Sequence, residues 1–282
     1  KKDEGRELPT SDPDLLAHWK FDEKNPNWAA NEVSPLTLTM RGTPEFTAGP
    51  VGQAIKLDGK DDVMELPTGS VAARAGTIAF WVRRDSDDGS RSTPLVSTEK
   101  SGTQINLSLS DNGHTAGTVG PQAKELTTKV TLVPHQWYHL ALTWQQNGQA
   151  LLYCNAEKIG EVEDAGPFAI PEKLMMGAAA DYQATGNQAV ATAAPRNSLA
   201  LASFDDVQCF DRALNADELA ALIKGSSVEL MPPGVYSDES ATQLATVSKD
   251  GTGSTIAEEK MPEPSKVKPR NSKPAKKPPA PK

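Results

Sequence analysis

Residues 137–160 read WYHLALTWQQNGQALLYCNAEKIG. The stretch 137–146 runs into Asn147-Gly148, a pair that supplies the positive φ a tight hairpin demands. Residues 149–154 then read as the return strand. A second turn at Asn155-Ala156 leads into a third strand at 158–162. Three short strands joined by tight turns commit this part of the chain to an antiparallel sheet.

The pattern repeats outward. Residues 15–21 (LLAHWKF), 77–83 (TIAFWVR), 104–109 and 199–210 (LALASFDDVQCF) read as further strands, and Asp111-Asn112-Gly113 as another turn. Residues 54–57 and 62–66, joined by Asp58-Gly59-Lys60-Asp61, read as a second hairpin. Side chains alternate along a strand. Val207 and Cys209 are therefore expected on one face with Asp205, and Phe204, Asp206, Gln208 and Phe210 on the other. One helix stands out at 215–224. Asn215 and Glu218 form a capping box, Leu214 and Leu219 a hydrophobic staple, and Gly225 the stop. Many short strands with glycine and asparagine turns predict an all-β antiparallel β-sandwich over 15–230.

The chain has 282 residues, 37% hydrophobic and 5% aromatic, with a net charge of −8. No run approaches the ~18 apolar residues of a membrane span. The acidic balance argues against nucleic acid as a partner of the globular part, because phosphate contacts need a basic face. Two cysteines exclude a disulfide-dense scaffold and a cysteine zinc cluster. Cys154 reads as a strand residue and Cys209 as a small buried hydrophobe; whether they are bridged stays open. The ends differ from the middle. Residues 260–282 carry eight Lys or Arg, one acid and seven prolines. Residues 1–14 and 231–282 are expected to be disordered, since they cannot bury enough apolar surface to offset ordering. The basic tail reads first as a solvated linker or chain end, and otherwise as an arm that could contact an anionic surface. The chain does not begin with Met and carries no apolar leader, which implies a removed leader or a fragment.

LLAHWKFDE (15–23), VGQAIKLDGKDDVMEL (51–66), GTIAFWVR (76–83), the 137–160 stretch and FDDVQCFDRALNADELAAL (204–222) come in an order that resembles the laminin-G-like, concanavalin A-like jelly-roll family. The resemblance implies two facing antiparallel sheets, with the first strand beside the last long one. It implies one Ca²⁺ at the rim, with Asp22 and Asp205 at the matching positions, since Ca²⁺ wants about 6–8 oxygen ligands; the alternative is that Asp22 caps a turn and Asp205 accepts backbone hydrogen bonds. Asn31 departs from the family habit of an acidic loop, which predicts weak affinity. For a sugar ligand, exposed rings are needed. Trp28 and Tyr182, in polar loops, are the candidates, and Tyr182 precedes a long insertion without periodicity at 177–197.

Catalytic patterns are missing. Related glucanases carry E-x-D-x-x-E, and the nearest acidic run, Glu161-Val162-Glu163-Asp164, has the wrong spacing. SDNGHT (110–115) lacks the flanking residues of a sialidase Asp box. There is no HExxH, G-x-S-x-G, P-loop or Rossmann fingerprint. His139 reads as a hydrogen-bonded packing residue. The resemblance implies a non-catalytic, extracytoplasmic recognition module for a polysaccharide or an extracellular protein. A spacer domain of a larger envelope protein, or a divergent glycan hydrolase, are the alternatives.

Overall fold

A computed structural model describes residues 12–235, apart from 88–91, 99–103, 111, 170, 172–173, 181, 186–187 and 192–197. Strands in the first third are β1 (Leu15–Trp19), β2 (Trp28–Ala29), β3 (Leu38–Arg41), β4 (Glu45–Ala48), β5 (Gln53–Asp58), β6 (Val63–Leu66) and β7 (Gly76–Arg84). Then come β8 (Thr93–Thr98), β9 (Gln104–Leu109), β10 (His114–Gly120), β11 (Lys124–Thr131), β12 (Trp137–Trp144), β13 (Ala150–Cys154) and β14 (Glu157–Val162). The last are β15 (Leu174–Met176), β16 (Tyr182–Thr185), β17 (Gln188–Ala191), β18 (Leu201–Phe210), helix α1 (Ala216–Ile223) and β19 (Gly234–Val235).

Two antiparallel sheets form the sandwich. The eight-stranded sheet runs β14-β13-β12-β7-β18-β5-β4, with β1 also on β18. The nine-stranded sheet runs β19-β11-β10-β9-β8-β15-β6-β3-β2. Between them lies one apolar core in which Trp19, Phe80, Leu140 and Phe204 meet Leu38, Met64, Ile105 and Leu126. Each such burial contributes about 1.5–3 kcal/mol, which is how short strands hold together. A smaller cluster lies on the far side of the eight-stranded sheet. There α1 seats Leu219, with Leu214, against Ala79, Ala141 and Phe210. The capping box at Asn215 and Glu218 is formed, and Gly225 takes φ +96° just past the end. Among the described residues, no helix is long and apolar enough to cross a membrane.

Three expectations change. Strands β5 and β6 are not a hairpin: β5 pairs with β4 and β18 in one sheet, β6 with β3 and β15 in the other. The cause is Asp62, which is buried and accepts the amides of Thr43 (2.8 Å) and Asp58 (2.9 Å), so the turn carries the chain over to the facing sheet. Burial pushes the Asp62 carboxyl up to about 6, against those two amides. Second, alternation along β18 is broken. Phe204 lies in the core together with Val207 and Cys209, because the register slips between Asp205 and Gln208, where Asp206 takes φ +49°. Third, the 177–197 stretch contains a two-stranded pair, β16 with β17.

At the ends, Asp12 and Asp14 both pair with Arg212 (3.1 and 2.8 Å), and β19 adds to the edge of β11. The remaining parts of the expected disordered ends, 1–11 and 236–282, lie outside the described residues. Cys154 and Cys209 are free and buried. Strands β12 and β7 separate β13 from β18, so about 14 Å stands between them, twice the reach of a disulfide. Burial pushes both thiols up to about 12. Native protein is therefore expected to resist a thiol reagent at pH 8, with both cysteines labelled in denaturant. Rapid labelling of either in the folded state would contradict this packing.

Candidate functional site

Strand β18 changes partner midway. Its first half, Leu201–Phe204, pairs with β5, and its second half pairs with β1 through Val207↔Trp19 and Phe210↔Leu15. The bulge at Asp205 and Asp206 sits at this fork. Just beyond β1, Phe21 takes φ +61° while its ring stays in the core, and this turn delivers Asp22. Two non-glycine residues in left-handed conformation thus stand next to the two acids. Such conformations persist only where the surroundings over-determine them.

The loop between β4 and β5 closes the site. Val51 donates its N–H to Asp205 Oδ2 (2.9 Å) and Gln53 donates its N–H to Asp22 Oδ1 (2.8 Å). Glycine is required at both neighbouring positions. A Cβ at Gly49 would lie 2.3 Å from Asp205 Oδ2, and one at Gly52, which has φ +78°, would lie 2.3 Å from Asp22 Oδ1. Asp22 is exposed, whereas Asp205 is 0% exposed. The other carboxylate oxygen of Asp205, Oδ1, is buried with no hydrogen-bond partner. Burial pushes the Asp205 carboxyl up to about 8; the amides of Val51 and Asp206 oppose this, and the charges of Asp206 and Asp22 add to it.

Asp206 is tied separately. Its Oδ1 meets His18 Nε2 at 2.5 Å, and its Oδ2 accepts Gln208 Nε2 at 2.9 Å. His18 is set by its own backbone, which donates to Asn31 Oδ1 (2.9 Å) and accepts from the Glu32 amide (3.0 Å). Asn31 spends its amide on Leu16 and Ser34 and stays with β1. On β7 and β12, Trp81 and His139 pack edge to face, 5.3 Å between centroids. His139 is a packing residue, but its Nδ1 has no partner, so the expected hydrogen bond is not made. Burial pushes His139 down to about 4.

The structure therefore brings Asp22 and Asp205 to the same loop. Of the two proposed rings, only that of Trp28 is among the described residues. Trp28 is 41% exposed at the edge of the nine-stranded sheet, while Tyr182 begins the separate β16–β17 pair and its side chain lies outside the described residues. Sequence reasoning missed Gly49, Gly52, His18 and Asp206. The doublet Asp205-Asp206 was the available signal, since a strand that places two adjacent acids at a junction needs a bulge to aim both.

The orphaned Asp205 Oδ1 is the observation against which a metal can be tested. A hard cation needs carboxylate oxygens that are already oriented and not consumed by other partners. Asp205 has one such oxygen, and the amide to Oδ2 holds it in place. Asp22, whose Oδ1 accepts the Gln53 amide next to the same loop, has an exposed carboxylate. Asp205 Oδ1 and the exposed Asp22 carboxylate are oxygen donors of the type a hard cation takes, two side chains of the roughly six to eight ligands Ca²⁺ needs.

No curated protein matches the chain. Among solved structures, domain 4 of AbnA, a GH43 extracellular arabinanase from Geobacillus stearothermophilus in complex with arabinotriose, is 19% identical at a TM-score of 0.56. That alignment covers 74% of this chain and 98% of that one. The binding domain of Paraclostridial Mosquitocidal Protein 1 is 15% identical (TM-score 0.57), covering 75% of this chain and 52% of that one. A Trypanosoma rangeli sialidase with 2,3-difluorosialic acid is 17% identical (TM-score 0.57), covering 75% of this chain but 32% of the enzyme. At these identities the likeness establishes the fold. The family model of the concanavalin A-like lectin/glucanases superfamily matches residues 58–220, more than half of the chain, and the chain belongs to that superfamily.

Proposed function

We propose that the domain is a non-catalytic recognition module for carbohydrate, working outside the cytoplasm, with one Ca²⁺ held between Asp22 and Asp205. The observation that carries the carbohydrate reading is the extent of the likeness. The chain spans nearly all of a domain seen with arabinotriose and only about a third of the sialidase. Glycan hydrolysis by a carboxylate pair needs two acids that reach the scissile bond from either side. At the fork, Asp205 is 0% exposed and already engaged by an amide, which favours binding over turnover. When bound, Ca²⁺ supplies charge that offsets two converging carboxylates and locks the fork; Asp22 and Asp205 would hold it.

Trp28 would supply the stacking surface, because its ring is 41% exposed at a sheet edge. Titration calorimetry with arabinotriose and a panel of soluble polysaccharides tests this. Trp28→Ala is expected to weaken binding about tenfold, ~1.4 kcal/mol, without lowering the melting temperature. Wild-type protein that binds no glycan, or a Trp28→Ala variant that binds as well as wild type, would overturn the assignment. A protein partner is the second reading; the chain is also similar to a domain named as the binding domain of a mosquitocidal protein.

A further inference from the structure

Helix α1 ends at Ile223, yet the chain after it stays on the domain. Ser227 donates its backbone N–H to the carbonyl of Pro50 (2.7 Å) and its Oγ to the carbonyl of Gly49 (3.4 Å). Further on, the carbonyl of Met231 accepts Asn155 Nδ2 at 3.1 Å. These anchors mark the two ends of one cross-strand row. Asp205 lies opposite Trp81, and Trp81 opposite His139. His139 in turn exchanges hydrogen bonds with Asn155, its N–H to Asn155 Oδ1 (2.9 Å) and its carbonyl from the Asn155 amide (2.7 Å). Three strand spacings of about 4.8 Å separate β18 from β13. The chain from residue 227 to 231, at most about 13–14 Å long, runs between these two anchors. Trp81, His139 and Asp205 are each no more than 2% exposed, although they lie on the face turned away from the inter-sheet core.

The loop gripped by Ser227 is the loop that orients both acids. Ser227 holds the carbonyls of Gly49 and Pro50, and the next amides along, at Val51 and Gln53, hold Asp205 and Asp22. We infer that segment 225–231 is a strap whose seating is coupled, through Ser227, to occupancy of the cation site at Asp22 and Asp205. This rests on the Ca²⁺ reading above and extends it to residues beyond the family match, which ends at 220. A cation that draws the two carboxylates together fixes the 49–53 loop in the form Ser227 grips. The gripped loop in turn holds the carboxylates in place. Ser227 is a positioning residue, acting through the loop. Linkage makes the effect equal in both directions.

Hydrogen exchange of the full chain tests it, reading the Ser227 amide in saturating CaCl₂ and in EGTA, alongside calorimetric Ca²⁺ titration. Ca²⁺ is expected to slow exchange at Ser227 by about fivefold or more, and Asp205→Asn to abolish the difference. Ser227→Pro, which lacks the N–H, is expected to weaken Ca²⁺ binding by a similar factor. Ser227→Ala, which keeps it, stays close to wild type. Ca²⁺ binding with unchanged exchange at Ser227 would overturn the coupling and leave the cation reading standing. Absence of any Ca²⁺ binding by wild-type protein would overturn both. The wild-type exchange result stands even if Ser227→Pro fails to fold.

Discussion

Asp205→Asn is expected to stabilise the protein in chelator. The folded carboxyl, pushed up to about 8 by burial, compares with an ordinary unfolded value near 4. A folded pKa above the unfolded one means that the contribution is complete below about pH 4 and is lost as pH rises through about 8. At pH 7 the unfolded chain has released the proton and the folded chain has retained it. Each pH unit between these limits costs about 1.4 kcal/mol, so the wild-type carboxyl carries a penalty of about 4 kcal/mol at pH 7. Asparagine has no proton to take up, its carbonyl can accept the Val51 amide, and its amino group occupies the orphaned position. Urea unfolding in EGTA at pH 5, 7 and 9 should show the variant ahead by a margin that widens with pH. Addition of Ca²⁺ should then raise only the wild type, by about 2.7 kcal/mol at a hundredfold excess over Kd. A variant less stable than wild type in EGTA at pH 7, or equally stabilised by Ca²⁺, would remove Asp205 from the site.

The parts of this fold that were legible in the sequence are those fixed by local chemistry. The Asn155-Ala156 turn places both residues at positive φ, the capping box at Asn215 and Glu218 forms, and the aromatic strands fill the core. Asp22 and Asp205 could be paired only through resemblance, since they stand 183 positions apart and no periodicity links such distant residues. What stayed hidden depends on tertiary contacts. Asp58-Gly59 has the composition of a hairpin, and only the amides of Thr43 and Asp58 converging on Asp62 send β6 to the other sheet. The bulge at Asp206 was equally hidden. Period-two reasoning assumes an unbroken ladder, and β18 has a gap where its partner changes from β5 to β1. Such gaps occur at functional sites more than elsewhere, so alternation failed where the candidate site lies.

That bulge also sets the last expectation, a large loss of stability on Asp206→Ala. Asp206 is 4% exposed at φ +49°, where aspartate, asparagine and glycine are tolerated and alanine is strained by about 1–2 kcal/mol. Its carboxylate is the partner of both His18 Nε2 and Gln208 Nε2, and removing it leaves two polar groups with little access to water, each costing about 1–3 kcal/mol. A total loss of about 3–5 kcal/mol in urea unfolding follows. Asp206→Gly relieves the backbone but not the orphaned donors and should recover about 1 kcal/mol of that loss. Asp206→Asn keeps the backbone preference and one acceptor oxygen, and should lie nearest to wild type. A double-mutant cycle with His18→Ala should give a coupling above about 1 kcal/mol, since the two side chains touch. If alanine proves harmless, or glycine falls below alanine, Asp206 does not hold the fork. The turn that aims Asp205 must then be stabilised from the β4–β5 loop alone.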